Sequence, residues 1–96
     1  MNKMPKMLTA TKVLSAARKL AGYKPAPGAN KVWIADLYQV AAPYNYTLDA
    51  FKAWLLDQHK AGTVELSRYD LADEPELSQA SEISYLNATF HRVVAR

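Results

Sequence analysis

The stretch that decides the fold is residues 47–68, which read TLDAFKAWLLDQHKAGTVELSR. Thr47 is a favourable helix cap, and Asp49 stands in the first turn, where a negative charge is stabilised by the helix dipole. Apolar side chains then recur at helical spacing until Gly62, a residue suited to the left-handed end of a helix. From Thr63 to Tyr69 apolar and polar residues alternate with the period of a strand. This stretch therefore predicts a helix that leads directly into a β-strand.

A first helix is predicted near the N-terminus. Thr9 or Thr11 can cap it, and it runs to Leu20 or Ala21, where Gly22 suits a left-handed stop. Its apolar face is mostly alanine, which permits close approach of another helix. The face is therefore a candidate contact for a homodimer.

The middle of the chain predicts a short strand and a second helix. Residues 23–30 contain two prolines and a glycine and read as a connector. Residues 32–34 are a brief apolar run that predicts a short strand leading into a helix near 35–42, which Pro43 closes. Only residues 43–46 separate this helix from the next one, as in a helix-turn-helix.

The C-terminal part predicts a second strand, because apolar and polar side chains alternate over residues 88–94. Between the two strands lies a polar connection, residues 70–87, in which Pro75 can open a short helical turn. Residues 1–8 are predicted to be a flexible basic N-terminus, and residues 9–96 a single domain.

The net charge of +3 hides a strong asymmetry along the chain. Residues 1–31 carry +7 and contain no acid, residues 32–69 carry −1, and residues 70–96 carry −3. The molecule is therefore dipolar, and its attraction to a charged partner depends on which end faces that partner.

The basic start also has the composition of a mitochondrial transit peptide, which is the alternative to its being the first helix of the domain. A secretory signal is excluded, because Lys12, Arg18 and Lys19 interrupt every apolar run. No stretch approaches the roughly 18 apolar residues of a membrane span. These features predict a soluble protein without a membrane partner, and a cytoplasmic location.

The composition does not predict an enzyme. With no cysteine, disulfide scaffolds and cysteine-based zinc modules are excluded. His59 falls on the inward stripe of the third helix and His91 on a strand, so both are interpreted as satisfied or half-buried rather than as metal ligands. The serines lack a nucleophile-elbow pattern, and three scattered glycines cannot build a phosphate loop. We therefore expect no catalytic residue, no metal and no cofactor.

The order of elements, carried most clearly by residues 47–68, resembles the winged helix-turn-helix superfamily of DNA-binding domains over residues 9–94. The resemblance implies an α+β winged-helix fold: three helices, a short strand before the second helix, and a C-terminal two-stranded β-hairpin, the wing. Most members bind duplex DNA, with the third helix in the major groove and the wing beside a phosphate strand; a minority bind proteins or RNA.

DNA contacts are predicted in the turn and the third helix, at about 47–61, with phosphate contacts from the basic first helix. Hydroxyl and amide groups at a helix N-terminus can hold a phosphate, and cations add salt-dependent affinity without sequence information. For each of these residues the alternative is an ordinary solvated side chain. The predicted DNA-binding residues are Lys12, Arg18, Lys19, Tyr44, Asn45, Tyr46, Thr47, Lys52 and Arg68.

Other residues weaken a DNA-binding interpretation. The predicted outward face of the third helix presents Asp49, Ala50, Ala53, Asp57 and Lys60. Residues 70–82 hold five acids and no base, so a wing built from them is repelled by phosphate. The second hypothesis is therefore a protein-interaction winged helix, one subunit of a larger complex, that uses this acidic loop and a rim formed by Trp54 and Leu56. The first hypothesis is a DNA-binding protein with a regulatory role in transcription.

Overall fold

The computed structural model describes residues 7–28, 30–69 and 75–95, and within them it confirms a mixed α+β domain with antiparallel strands. The helices are α1 (Ala10–Tyr23), α2 (Ile34–Leu37), α3 (Leu48–Ala61) and α4 (Pro75–Ala80), with 3₁₀ turns at Tyr38–Val40 and Ala42–Tyr44. The strands are β1 (Lys31–Trp33), β2 (Leu66–Ser67), β3 (Ile83–Tyr85), β4 (Ala88–Phe90) and β5 (Arg92–Val94).

Helix α1 begins where the sequence predicts and ends later. The Thr9 hydroxyl accepts a hydrogen bond from the Lys12 backbone N–H at 3.2 Å, which identifies Thr9 as the cap. The prediction that Gly22 stops the helix in a left-handed conformation was wrong, since Gly22 lies inside the last turn and has no positive φ. The helical bonding continues past it because the Lys24 N–H still reaches the Leu20 carbonyl, at 2.7 Å.

The hydrophobic core includes a residue of the N-terminal segment that the sequence predicts to be flexible. Leu8 is only 6 % exposed and belongs to this core. Residues 1–6 of that segment lie outside the described residues. Within the described chain, core packing therefore begins at Leu8.

The second helix is shorter than predicted. In place of a helix over 35–42 closed by Pro43, α2 ends at Leu37 and two 3₁₀ turns follow, with Pro43 inside the second. Pro43 lacks an N–H and prevents an α-helix from running past it, but α2 already ends six residues before it, at Leu37. The chain tightens instead, and the Ala41 N–H donates to the Tyr38 carbonyl three residues back, at 2.8 Å.

Helix α3 forms as predicted. The Thr47 hydroxyl accepts from the Ala50 backbone N–H at 3.0 Å, and Gly62 ends the helix in the left-handed region with φ +81°. Phe51 and Leu55 are fully buried and anchor the helix in the core. Capping and amphipathic spacing therefore predicted this helix correctly.

The last strand of the chain occupies the centre of the main sheet. The three strands run in the order β1-β5-β2, all antiparallel, with Val93 opposite both Val32 and Leu66. The prediction of one strand over 88–94 was wrong, because β4 pairs with β3 in a separate two-stranded sheet. At the buried His91 the chain changes from one set of pairing partners to the other.

The predicted strand over 63–69 shortens to the two residues of β2, and the connection after it contains more structure than expected. Pro75 opens α4, as predicted, while β3 was missed. Strands β3 and β4 form a tight hairpin through Leu86 and Asn87. Residues 70–74, the most acidic part of the connection, lie outside the described residues.

The core lies between the helices and the main sheet. Trp33 and Phe51 are buried, whereas Trp54 and Phe90 are half-buried at the border of the core. The main cluster comprises Leu8, Val13, Ala17, Leu20, Val32, Ile34, Leu37, Ala41, Phe51, Leu55, Val64, Leu66, Ile83 and Val93. Within the described residues, none of the helices combines the length and the apolarity needed to cross a membrane.

Candidate nucleic-acid interface

The outward face of α3 has the composition that the helical spacing predicts. Its five side chains are all exposed: Asp49, Ala50, Ala53, Asp57 and Lys60. Two acids and one base leave this face with a net charge of −1. The alanines permit close approach of a partner, while the carboxylates oppose a phosphate strand.

The turn that precedes α3 is held in a defined conformation. The Tyr38 hydroxyl donates to the Tyr46 backbone carbonyl at 2.5 Å. Asn45 adopts φ +64°, a left-handed conformation that asparagine tolerates better than most residues. Asn45 and Thr47 are exposed, and Tyr44 and Tyr46 are half-buried against the core. The turn therefore presents polar groups from a fixed backbone.

Helix α1 reaches this turn through one side chain. The Lys12 ammonium donates to the Tyr44 hydroxyl at 3.3 Å, and its nitrogen lies 5.3 Å from the centre of the Tyr44 ring. The hydroxyl oxygen of Tyr44 accepts this bond and favours the cation at this position. Two predicted site residues that are 32 positions apart in sequence are thus in direct contact.

The other two cations of α1 point in different directions. At 100° per residue, Lys19 lies within about 20° of Lys12 around the helix, whereas Arg18 lies about 120° away. Lys19 also borders an open pocket of about 260 Å³ between α1 and α2, together with Leu37 and Asp36. The structure therefore aligns Lys12 with Lys19 on one face and separates Arg18 from them.

Lys52 and Arg68 take distinct positions. Lys52 is half-buried on α3, five residues after the Thr47 cap and outside the exposed face. Arg68 is exposed and directly follows β2, and its backbone carbonyl accepts a hydrogen bond from the Arg92 guanidinium. Arg92 is a buried structural residue, and its guanidinium also bonds the Pro27 carbonyl and lies 5.1 Å from the Tyr69 ring.

Sequence reasoning missed the hairpin that packs beside α3. The Lys60 ammonium lies 4.7 Å from the centre of the Tyr85 ring, and the rings of His59 and Phe90 are 5.0 Å apart. These contacts join β3 and β4 to the C-terminal half of α3. The available signal was the short apolar and polar alternation at 83–85, which the surrounding polar residues obscured.

Both histidines accept hydrogen bonds from backbone N–H groups of the chain. His59 Nδ1 accepts from the Leu66 N–H, and His91 Nδ1 accepts from the Tyr69 N–H, both at 3.3 Å. An accepting Nδ1 places the ring proton on Nε2. In the three described segments, His, Asp and Glu side chains do not gather in threes as a metal site requires.

The apolar surfaces assigned to a protein partner are partly used within the chain. Trp54 and Leu56 are half-buried, and the Trp54 ring stacks on Phe51 with centroids 6.2 Å apart. On α1, Ala17 is fully buried and the neighbouring alanines pack against the same core. The alanine stripe therefore contacts this chain's own core, which limits the surface it offers to a second copy.

Comparison with models of protein families, with curated proteins and with solved structures yields no match.

Proposed function

We propose that the chain is a winged-helix domain that binds duplex DNA through the turn before α3, the exposed face of α3, at about 47–61, and the basic face of α1. The order β1-β5-β2, with the C-terminal strand between the other two, supports this fold, as does the succession α1, β1, α2, α3 before the remaining strands. A fold does not identify the partner that a domain binds, so the proposed DNA binding depends on the side chains of the surface.

The contact between Lys12 and Tyr44 carries the proposal. It joins the acid-free, basic first third of the chain to the turn whose polar groups precede α3. A phosphate strand that crosses this junction meets the Lys12 ammonium, the Tyr44 hydroxyl and the positive end of the α3 dipole together. Lys19 extends the same face by two helical turns, about 10 Å along α1.

The positions of the acids are compatible with this surface. Glu76 lies on α4, which packs against α2. Residues 83–90 of the hairpin beside α3 contain no acid. In the described part of the chain, Asp36 lines the pocket that Lys19 borders, and α3 itself contributes two carboxylates to the proposed surface, Asp49 and Asp57.

These two carboxylates set the expected character of the binding. They disfavour deep insertion of α3 along a major groove, although an aspartate can accept a hydrogen bond from a cytosine amino group. Most of the affinity then comes from phosphate contacts, so binding depends strongly on salt and discriminates weakly between sequences.

Fluorescence anisotropy with a labelled random duplex, at several salt concentrations, tests the proposal. We expect Lys12→Ala to lower the slope of log K against log salt by about 0.9, the loss of one phosphate contact. Lys31→Ala, which removes the same charge from the edge strand β1, serves as the matched control and should leave the slope unchanged. A wild-type protein that binds no duplex at low salt contradicts the proposal.

The second candidate is a protein-interaction module, and the net negative face of α3 favours it. Asp57→Asn separates the two functions. If this face lies against a duplex, removal of the charge strengthens DNA binding, most clearly at low salt. If the face binds a basic protein surface instead, the substitution leaves DNA binding unchanged and weakens that complex.

A further inference from the structure

The pocket between α1 and α2 combines an apolar wall with a buried acid. Its volume is about 260 Å³, and Leu20, Leu37 and Val40 form much of its wall. Asp36 also lines it, although this residue is only 8 % exposed. Carboxylates are almost never buried to this extent unless they are paired and hydrogen-bonded. The bonding of Asp36 therefore indicates what the pocket can hold.

One oxygen of the Asp36 carboxylate has a partner, and the other does not within the described residues. The Lys24 ammonium donates to Oδ1 at 3.0 Å and balances the charge of the acid. Oδ2 is buried and, in the three described segments, accepts no hydrogen bond. The χ2 torsion of an aspartate is broad and roughly two-fold, so either oxygen can face the pocket while Lys24, whose side chain is 55 % exposed, bonds the other. The pocket thus contains an acceptor that an N–H or O–H group can use.

The mouth of the pocket favours an anionic group. The exposed Lys19 borders it, and among the described residues that line the pocket Asp36 is the only acid. Because the charge of Asp36 is already balanced by Lys24, Lys19 attracts a negative charge from solution. Tyr23, which is 73 % exposed, adds an aromatic ring at the rim.

We propose that this pocket binds a free α-amino acid with an apolar or aromatic side chain. The ammonium of the ligand donates to Asp36, its carboxylate pairs with Lys19, and its side chain packs on the apolar wall. A simple amine leaves Lys19 without an anion, and a simple acid leaves the Asp36 oxygen without a donor, so a molecule that carries both groups fits best. The volume is slightly below the roughly 300–1,000 Å³ typical of pockets for drug-sized ligands, as expected for a small occupant. This binding does not depend on the DNA-binding function proposed above.

Titration of ¹⁵N-labelled protein with L-phenylalanine, followed by NMR, tests the proposal. We expect the backbone signals of the residues that line the pocket to shift, while those of the β3–β4 hairpin remain in place. Two analogues divide the ligand into its parts, since 3-phenylpropionate lacks the ammonium and phenethylamine lacks the carboxylate. Each should bind about tenfold more weakly than L-phenylalanine, which corresponds to the loss of one charge-assisted hydrogen bond.

Variants of the two acidic and basic partners assign the contacts. Asp36→Asn keeps the shape of the side chain and should weaken L-phenylalanine binding about tenfold. Lys24→Gln should bind at least as tightly as wild type, because the whole carboxylate is then free for the ligand, whereas a purely structural ion pair predicts the same loss in both variants.

Lys19→Gln should weaken the binding of L-phenylalanine and leave that of phenethylamine unchanged. Lys31→Gln is the matched control, because it removes the same charge from β1, away from the pocket, and should change neither affinity. The comparison of the ligand with its analogues uses wild-type protein, so it decides the question even if Asp36→Asn does not fold.

Three results overturn the proposal. If neither L-phenylalanine nor L-leucine shifts the signals of the pocket at millimolar concentration, no amino acid of this class binds there. If both analogues bind as tightly as L-phenylalanine, the pocket is an apolar cleft that does not recognise the charged groups. If Asp36→Asn binds as well as wild type, Asp36 does not hold the ammonium. DNA binding is measured separately by anisotropy, so each of these failures is distinct from a failure of the proposed function.

Discussion

The buried hydroxyl of Ser81 links α2 to the residue that follows α4, and its removal is the sharpest test of this packing. Ser81 is 0 % exposed, and its Oγ accepts a hydrogen bond from the Ala35 backbone N–H at 2.9 Å. Ala35 is the second residue of α2, where an N–H has no partner within the helix. Trp33, at the cap position, has no side-chain group that bonds it. Ser81 therefore caps α2 from 46 residues away.

We expect Ser81→Ala to lower the free energy of unfolding by about 1–2 kcal/mol. Loss of a helix cap costs about 0.5–2 kcal/mol, and a buried N–H left without a partner costs about 1–3 kcal/mol. Ala35 is half-buried, so water compensates in part and the lower end of the second range applies. The substitution removes only one oxygen atom, so the contribution of a cavity is small.

Urea denaturation followed by circular dichroism measures this change directly. In a domain of 96 residues, the same loss lowers the thermal midpoint by about 5–10 °C. Ser84→Ala is the control, because Ser84 is exposed on β3 and its replacement should stay within about 0.5 kcal/mol of wild type. Equal stability of the two variants would refute the assignment of Ser81 as a cap.

Three further predictions concern the core and the helix ends. Phe51→Ala should cost about 3–5 kcal/mol in urea denaturation, since the ring is fully buried and its loss leaves a cavity; a cost below about 1 kcal/mol would contradict its central place. Gly22→Ala should stabilise the protein by about 0.5 kcal/mol, because Gly22 lies in the α1 helix and an added β-carbon meets nothing within 4 Å. Gly62→Ala should instead destabilise by about 1 kcal/mol, because the same open space surrounds a left-handed backbone with φ +81°. Thermal unfolding of the two glycine variants should therefore shift in opposite directions, and shifts of the same sign would show that one of the two conformations is wrong.

Capping residues, prolines and apolar spacing predicted those elements whose ends and buried faces depend only on neighbouring residues. Thr47, Gly62 and the apolar spacing between them define α3, and Thr9 and Pro75 mark the starts of α1 and α4. The exposed face of α3 followed from the same spacing. Capping and amphipathic spacing act within one or two helical turns, so a single sequence is enough to reveal them.

The errors occur where a residue admits two local structures. Gly22 is compatible with a helix end and with a helix interior. It lies inside the helix, because the hydrogen bond from the Lys24 N–H to the Leu20 carbonyl continues the helix past it. The alternation over 88–94 is compatible with one strand or two, and only the positions of β1, β2 and β3 divide it at His91. Strand pairing depends on residues far apart in the chain, which no local pattern records.

In the candidate site, too, the sequence revealed the local features and the tertiary structure revealed the contacts between them. Sequence alone identified the basic first third, the polar turn before α3 and the acidic connection as separate stretches, because charge and residue type are local properties. Only the tertiary structure placed Lys12 on Tyr44 and brought the acid-free hairpin with Leu86 to α3. Those contacts join residues 25 or more positions apart, and they exist because burial of one shared core fixes where each element lies.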